Sequence, residues 1–259
     1  MSPNSILERL NFEFKNLTEA NFMEKFSLLA EDLINHYCIV KEGNEGVPKV
    51  TYHFMEIEFY YCSPKHPDVI TYPRRAHAGD WFFHNSGVDI CFASDVLLDD
   101  ETGKVVKGQE SFGFGGILIR ALSKHVEGKE TTYITGPLKC CYELFDKFSA
   151  FSNPVNFPKI VLKDGPSEDA VKPVFCGRYL HFSNSFKNKL DNILKESWEE
   201  GQNQIGLSTA LDEGRFKYFL EKPYCFYDKK AFQDYKEDKS YKYYAANPLN
   251  TTKRLSPEE

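Results

Sequence analysis

The hydrophobic pattern of the first forty residues predicts a helix that passes directly into a strand. Residues 21–40 begin with apolar positions at helical spacing, which are Phe26, Leu29, Leu33 and Ile34. The pattern becomes strand-like over residues 36–40, and the stretch KEGNEGVP that follows is typical of a turn. A long strand is then predicted over residues 50–61 (VTYHFMEIEFYY).

Strict alternation along this strand assigns its side chains to two faces. One face would carry Val50, Tyr52, Phe54, Glu56, Glu58 and Tyr60, and the other His53, Met55, Ile57 and Phe59. A charged Glu58 between two large apolar residues is unusual in so apolar a strand. If its face is buried, the carboxylate needs partners and can act as a general base on water. If the strand lies at a sheet edge, Glu56 and Glu58 are simply in solvent.

The rest of the chain interleaves helices and strands without a βαβ rhythm, which indicates the α+β class. Residues 62–80 contain three prolines, adjacent arginines and two histidines, and predict an ordered loop. Further strands are predicted over residues 81–84, 88–93, 113–121, 174–182 and 216–228, with a hairpin-type insertion over 97–111. Helices are predicted to begin at Gly136-Pro137 and to cover residues 186–202. We expect Ile57, Phe59, Ile117, Ile119 and Leu122 to be buried.

Composition narrows the classes of protein. The 259 residues are 41% hydrophobic and 27% charged, as in soluble globular proteins, and a net charge of −6 excludes a uniformly basic nucleic-acid-binding coat but not a local basic groove. The seven cysteines have no regular spacing, and neither an apolar leader nor a run of ~20 apolar residues is present. We therefore expect a reduced protein that is cytoplasmic, or nuclear if eukaryotic, that is not secreted and that has no membrane partner.

Aromatic and basic residues cluster around the loop at 62–80. The cluster consists of Tyr60, His66, Arg74, Arg75, His77 and Trp81. Such a set can bind an aromatic base and its phosphate, or it can be a packed loop whose polar groups are satisfied internally. A metal site from His66, His77, His84 and Cys91 matches no standard zinc spacing, so we expect no metal and no cofactor.

Two further motifs combine glycine with a nearby basic residue. The glycines of GFGGILIR, residues 113–120, indicate close approach at the start of a strand, and no helix follows as in a dinucleotide site. Arg120 in this apolar strand either pairs with a carboxylate or contacts a ligand phosphate. The helix start at Gly136-Pro137 can hold an anion beside Lys139.

Six stretches, in their order along the chain, resemble motifs of the methylpurine (alkyladenine) DNA glycosylase family. They are AEDLINHYCIV, MEIEFYY, GDWFFHNSGVDICFAS, GGILIRAL, TGPLKCCYELF and KPYCFYD. MEIEFYY resembles the family's Glu-Thr-Glu-Ala-Tyr motif, and GGILIRAL resembles its Val-Leu-Leu-Arg-Ala-Leu strand. The resemblance is good over residues 22–145 and weak over 170–228.

The resemblance implies a single compact α+β domain over residues 1–231, with a mostly antiparallel curved sheet flanked by helices, and a polar tail over 232–259. The family extrudes a damaged purine from DNA during base-excision repair and hydrolyses its N-glycosidic bond without a metal or cofactor. The implied partner is a nucleic acid or a modified nucleotide.

Matching positions imply roles for individual residues. Glu58 resembles the glutamate that activates the attacking water, and Arg120 resembles the arginine beside the water site. Tyr60 resembles the tyrosine that stacks on the extruded base, with His66 as the histidine opposite it. The base-binding set extends to Trp81, Phe83 and Ala93, and the phosphate- or backbone-binding set comprises Arg74, Arg75 and Lys139.

Three departures from the family pattern concern the substrate. Ser86 stands where the family has the tyrosine that fills the space of the extruded base, and Ala93 stands where it has the pocket asparagine. Asp89 has no family equivalent and forms a new polar cluster with His84 and Ser86, unless it is a turn or strand-end aspartate bound by backbone amides.

The sequence thus leaves two hypotheses. The first is a DNA-glycosylase-like hydrolase that cleaves the N-glycosidic bond of a modified purine with Glu58-activated water. The second is a hydrolase, or a binder without activity, that takes a small or single-stranded modified nucleotide in the same pocket. A binder without activity would hold Glu58 exposed or in a fixed ion pair with Arg120.

Overall fold

The computed structural model of this chain confirms the α+β class, with helices packed on a curled sheet in which every described strand pair is antiparallel. The structure describes residues 3–11, 14, 17–43, 47–68, 70–106, 108–146, 157–163, 170–178, 219 and 222–237. The helix predicted over 186–202 and the end of the predicted tail, residues 238–259, lie outside these residues.

The elements agree with the predicted ones over most of the described chain. The described helices are α1 (Pro3–Leu10), α2 (Glu19–His36), α3 (Pro137–Leu144) and α4 (Lys229–Glu237). The described strands are β1 (Tyr37–Lys41), β2 (Val50–Cys62), β3 (Trp81–His84), β4 (Gly87–Cys91), β5 (Phe114–Val126), β6 (Thr132–Thr135), β7 (Lys159–Leu162), β8 (Val174–Cys176) and β9 (Cys225–Tyr227). Helices α1 and α4 and strands β6 and β7 have no counterpart in the prediction. Strands β8 and β9 are shorter than predicted over the residues that the structure describes, and residues 179–182, 216–218, 220 and 221 of the two predicted strands lie outside those residues.

The two long strands β2 and β5 form the centre of the sheet. The strand order is β3-β4-β5-β2-β1-β7, with β6 beside β5 and β9 beside β2 and β8. Strand β2 has β5 along one side, and β1 and β9 share the other side. The alternative that places the glutamates of β2 on a solvent-exposed edge strand is therefore wrong.

One face of the sheet, which we call the apolar face, packs against α2. The side of α2 that contacts this face consists of buried residues at helical spacing, which are Phe22, Phe26, Leu29 and Leu33. The ring of Phe26 stacks on that of Phe59 with centroids 4.6 Å apart. The five predicted core residues are all fully buried: Ile57, Phe59, Ile117, Ile119 and Leu122.

A β-bulge in β2 changes the predicted assignment of side chains to faces. The pairing of β2 with β5 shifts on both sides of Glu56. As a result Tyr52 and Phe54 join the same core as Ile57, whereas Glu56 and Glu58 lie on the opposite face. The prediction that all of these even-numbered residues share one face was wrong, because alternation holds only where the register is unbroken.

The predicted tail begins inside a helix of the structure. In α4 the side chain of Phe232 is buried against Met55 and Ala121. The boundary predicted at residue 232 therefore falls within a packed element. Among the helices that the structure describes, none is both long and apolar enough to cross a membrane.

Candidate functional site

The face of the sheet opposite α2, which we call the polar face, carries the candidate chemistry. Cross-strand pairing sets Glu58 beside Leu118, and Leu118 beside Asp89. The next positions on the same face of these two strands are Tyr60 and Gly116, which pair with each other. Since directly paired residues of neighbouring strands point to the same side, these side chains share one surface.

Arg120 holds two carboxylates of the neighbouring strand on this face. Its Nη1 donates a hydrogen bond to Oε2 of Glu58 at 2.6 Å, and its Nε lies 3.4 Å from Oε1 of Glu56. None of the three side chains is more than 2% exposed. The bulge produces the arrangement, because the shifted register brings both glutamates beside Arg120. Of the two roles predicted for Arg120, the structure has it paired with a carboxylate.

This ion pair fixes the position of Glu58. Arginine keeps its charge at physiological pH, so its bond to Glu58 is charge-assisted. The thiol of Cys225 on β9 lies 3.2 Å from Oε1 of Glu56 and holds that carboxylate from the other side. A carboxylate fixed in this way can stabilise a positive charge that develops beside it.

A second buried ion pair lies next to the first. Arg74, from the loop before β3, donates through Nη1 to Oδ2 of Asp89 at 2.5 Å, and its guanidinium lies 4.0 Å from the ring centroid of Phe82. Gly116 makes room for the pair, because a Cβ there would lie 2.9 Å from both Arg74 Nη1 and Asp89 Cβ. Arg74 is only 3% exposed. Its predicted role as a phosphate ligand is corrected accordingly, since its guanidinium is committed to Asp89.

His84 completes this second cluster. Its Nε2 lies 3.0 Å from Oδ1 of Asp89, and the backbone N–H of Ser86 donates to its Nδ1 at 3.2 Å. Because Nδ1 accepts, the ring proton sits on Nε2 and is donated to Asp89. Burial raises the pKa of Asp89, but the bond from His84 and the charge of Arg74 outweigh it, so that the pKa lies below its ordinary value. The alternative in which backbone amides bind Asp89 was wrong, since side chains hold it.

The ring of Tyr60 contacts the guanidinium group of Arg178, a residue that was not among the predicted site residues. The guanidinium carbon of Arg178 lies 4.9 Å from the ring centroid of Tyr60. Asp68 and the carbonyl oxygen of Phe219 hold Arg178 in place. Burial, followed by the carboxylate of Glu58, raises the pKa of Tyr60 well above its ordinary value, which keeps its hydroxyl protonated.

His66 lies in the apolar core and makes no ring contact with Tyr60. Its ring stacks on Phe22 with centroids 3.9 Å apart. Its Nδ1 donates to the carbonyl oxygen of Tyr61 at 2.8 Å, and its Nε2 accepts from Tyr224 Oη at 3.0 Å. Burial is the main cause that lowers the pKa of His66. The position implied by the resemblance is thus corrected: Arg178, not His66, is the polar group against the Tyr60 ring.

Alternation in the edge strand β3 separates its three aromatic residues. Trp81 and Phe83 both pack edge-on against Phe145, with centroids 5.4 Å and 4.7 Å away, on the apolar side. Phe82 lies between them and turns to the polar face, where it contacts Arg74. A base-binding role together with Tyr60 therefore fits Phe82 better than the predicted Trp81 and Phe83, because those two lie on the other side of the sheet.

The remaining predicted residues are exposed or contact other parts of the chain. Arg75 is exposed and bonds to Asp100 and the carbonyl oxygen of Leu98. Lys139 is exposed in the first turn of α3, and Ser86 is exposed in the turn between β3 and β4. The backbone of Ala93 donates to the carbonyl oxygen of Leu10, which attaches α1 to the sheet. The contacts named here do not involve Glu58, Arg120 or Tyr60.

The histidines considered for a metal site do not assemble. His66 is buried in the core, whereas the side chain of His77 is 98% exposed. Within the described residues no group of three or more His, Cys, Asp or Glu is arranged to hold a metal ion.

An apolar cavity of about 360 Å³ lies on the other side of the sheet, between α1, α2 and β7. Its lining is apolar apart from Tyr37 and Lys159. None of the buried acids of the polar face lines it, so the cavity is separate from the candidate site. Comparison with known proteins finds no matching family model, no matching curated protein and no matching solved structure.

Proposed function

We propose that this protein binds a modified purine, as a nucleotide or in a nucleic acid strand, on its polar face and hydrolyses the N-glycosidic bond with Glu58. The observation that carries the proposal is the buried ion pair of Glu58 and Arg120, 2.6 Å long, on the same face as the ring of Tyr60. A stacking ring beside a fixed carboxylate is what base excision without a metal needs.

The reaction adds water across the bond between the sugar and the base. The water oxygen attacks C1′ while the C–N bond breaks and the base leaves with the bonding electron pair. Glu58 accepts a proton from the water, and the departing base takes up one proton, so that the products are the free base and a sugar hydroxyl. The oxocarbenium-like state at C1′ is positive, and the carboxylate of Glu58 stabilises it electrostatically.

The polar face favours a small or single-stranded substrate. The turn at Ser86 has no large side chain to replace an extruded base in a duplex. Six of the cysteines are free thiols, and five of these are buried. On this ground we propose that the protein acts in a reducing compartment, which is the cytoplasm or, in a eukaryote, the nucleus.

The test is base release by the wild type and by Glu58→Gln. Substrates are hypoxanthine- and alkylpurine-containing duplexes, the corresponding single strands and the free nucleosides. We expect release from single strands or nucleosides, and a fall of about 10²- to 10⁴-fold in Glu58→Gln because the base is lost. Glutamine keeps the hydrogen bond to Arg120, so the variant should unfold near the wild-type temperature.

Glu101→Gln is the matched control, because Glu101 is an exposed glutamate of the insertion at 97–111. It should release base at the wild-type rate. Release that is absent from every substrate, or equal in Glu58→Gln and the wild type, would exclude the proposed hydrolysis.

A second function is favoured by two contacts. The fixed ion pair of Glu58 with Arg120 is the arrangement expected of a binder without activity. Arg178 lies against the Tyr60 ring and is itself fixed by Asp68, so this side of the stacking ring is occupied by protein. A nucleotide binder without activity would use the remaining surface of Tyr60 and Phe82. It predicts binding of a modified nucleotide with no release of base, and the same dissociation constant for Glu58→Gln and the wild type.

A further inference from the structure

A second group of ionisable side chains lies at the other end of the polar face, near the start of β2. His53 pairs across the sheet with Cys38 of β1 and Ser123 of β5. His125 lies two residues beyond Ser123, and its ring centroid is 4.4 Å from that of His53. Two imidazoles thus lie almost in contact on one sheet surface.

An apolar cluster separates this group from Glu58. Met55 and Ala121 are fully buried under Phe232 of α4, midway along the two central strands. At about 3.3 Å per residue, His53 and Glu58 are about 16 Å apart along β2. A base held at Glu58 does not bring its own phosphate to His53, so this region is a site independent of the proposed hydrolysis.

The hydrogen bonding of the two histidines is unequal. The hydroxyl of Ser123 lies 2.9 Å from Nε2 of His125, and that of Thr131 lies 3.2 Å from its Nδ1, so both ring nitrogens of His125 are engaged. Among the residues that the structure describes, no hydrogen bond reaches either ring nitrogen of His53, which is only partly buried. His53 therefore has hydrogen-bonding capacity left for a ligand.

A lysine adds positive charge to the same surface. Lys163 directly follows β7, and its Nζ donates to the carbonyl oxygen of Ile34 at 2.7 Å. An ammonium group has three donors, and this bond uses one. The charge of Lys163 acts on both histidines.

The three groups disfavour one another's protonation. The pKa of His53 is lowered to about 4, mainly by burial and then by the charges of Lys163 and His125. Burial is also the main cause that lowers the pKa of His125 and of Lys163. A bound anion would reverse these effects, because it favours the protonated form of every group around it.

We infer that His53, His125 and Lys163 form a binding site for a phosphate group. The ring nitrogens of His53 and the two remaining N–H groups of Lys163 can donate to a tetrahedral anion, which accepts several such bonds at once. His125, whose ring lies beside that of His53, adds a positive charge when it is protonated. The other polar or ionisable groups that face this surface are Cys38 of β1, Thr51 of β2, Ser123 of β5, Thr131 before β6, Tyr133 of β6 and Asp228 before α4. Asp228 is engaged as the cap of α4, where its Oδ1 accepts from the backbone of Ala231 at 3.0 Å.

Binding at this site takes up protons, which fixes the direction of its pH dependence. The anion raises the pKa of His53 above its value of about 4 in the free protein. Affinity therefore increases as the pH falls from neutral towards that value. Sulfate keeps its two charges over this range, so it separates protonation of the protein from protonation of the ligand.

The experiment is a titration of the full chain with sodium sulfate and with inorganic phosphate, at constant ionic strength, followed by imidazole NMR signals. We expect the signals of His53 and His125 to shift with saturation, and the pKa of His53 to rise by about one unit or more. His53→Gln and Lys163→Gln should each weaken binding about tenfold, since each removes one charged or chargeable donor. Thermal unfolding of each variant shows whether it is folded.

Lys104→Gln is the matched control, because Lys104 is an exposed lysine of the insertion at 97–111, outside the strands that carry the site. It should bind sulfate as the wild type does. Equal affinities for the wild type and both site variants, or histidine signals that do not move up to about 10 mM anion, would overturn the inference, since a specific anion site binds more tightly than that.

Two sources of the phosphate group are distinguished by a further arm with a 5′-nucleoside monophosphate. Affinity equal to that of inorganic phosphate supports a site for the free ion, and greater affinity supports a site for a nucleotide. Neither result depends on base release, so failure of the proposed hydrolysis leaves this test intact.

Discussion

Arg120 and Arg74, two of the buried arginines of the polar face, resemble each other in burial but differ in what they hold. Arg120 lies within β5 and contacts two carboxylates of β2, Glu56 and Glu58. Arg74 comes from a loop and contacts one carboxylate, Asp89, which also receives a proton donor from His84. One cluster joins two central strands, and the other attaches a loop to the sheet.

Because of this difference, we regard the Arg120 cluster as the candidate catalytic group and the Arg74 cluster as a structural link between a loop and the sheet. In the Arg74 cluster one positive and one negative group neutralise each other, and the ring of Phe82 and the carbonyl oxygen of Tyr72 complete the surroundings of the guanidinium. In the Arg120 cluster the described side chains set two carboxylates against one guanidinium. Two adjacent acids on a strand are costly to bury, and the proposed hydrolysis would make use of one of them, Glu58.

The largest expected effect is the loss of stability when either arginine is replaced, and this loss should differ between the two clusters. Arg120→Met leaves two carboxylates together in the interior and should cost about 5 kcal/mol, whereas Arg74→Met leaves Asp89 with His84 and should cost about 3 kcal/mol. Unfolding in urea at pH 7 measures both. Equal losses would mean that the two clusters are equivalent and that the contrast drawn between them is wrong.

Gly116→Ala tests the ion pair of Arg74 with Asp89 without removing either charge. The new Cβ would lie 2.9 Å from Arg74 Nη1 and from Asp89 Cβ, so the pair must separate, at a cost of about 2–3 kcal/mol. The same substitution in an Arg74→Met background should cost at least about 1 kcal/mol less, because one of the crowded groups is gone. A double-mutant cycle measures this coupling, and additive effects would show that the crowding has another source.

The smallest effect concerns acid stability. The pKa of Asp89 is depressed in the folded protein, so its contribution to stability is present above the ordinary pKa of about 3.8 and is lost as the pH falls through the lower folded value. Asp89→Asn should therefore be about 1–2 kcal/mol less stable at pH 7, and its unfolding free energy should approach that of the wild type below about pH 4. Parallel curves across the whole pH range would assign the stabilisation to shape rather than charge.

Several helices and strands could be predicted from the sequence because the patterns that specify them span only a few neighbouring residues. The passage from α2 to β1 was predicted to within a residue or so, since helical spacing ends where β-branched and aromatic residues begin. The start of α3 at Pro137 followed from the fixed backbone angle of proline. The burial of Ile57 and Phe59 followed from their alternation in β2.

The site was predicted only in part. Glu58, Tyr60 and Arg120 were named from their neighbours in the chain, and pairing of the sheet does bring them to one surface. Arg178 and Phe82 were missed as members of that surface. An arginine just beyond a short strand and an aromatic residue between two others carry no local signal of which side of the sheet they contact.

The sequence by itself determined the α+β class, the elements from α2 to β4, the starts of β5 and α3, and the burial of five residues of the apolar core. Each of these depends on hydrophobic spacing or turn residues over a short stretch of chain. Only the tertiary structure decided the faces and partners of the charged residues. Arg120 and Glu58 are 62 positions apart, and the register shift at Glu56 that brings them together exists only once β2 is paired with β5. Buried ion pairs are chosen by pairing across the sheet, which a one-dimensional pattern does not contain.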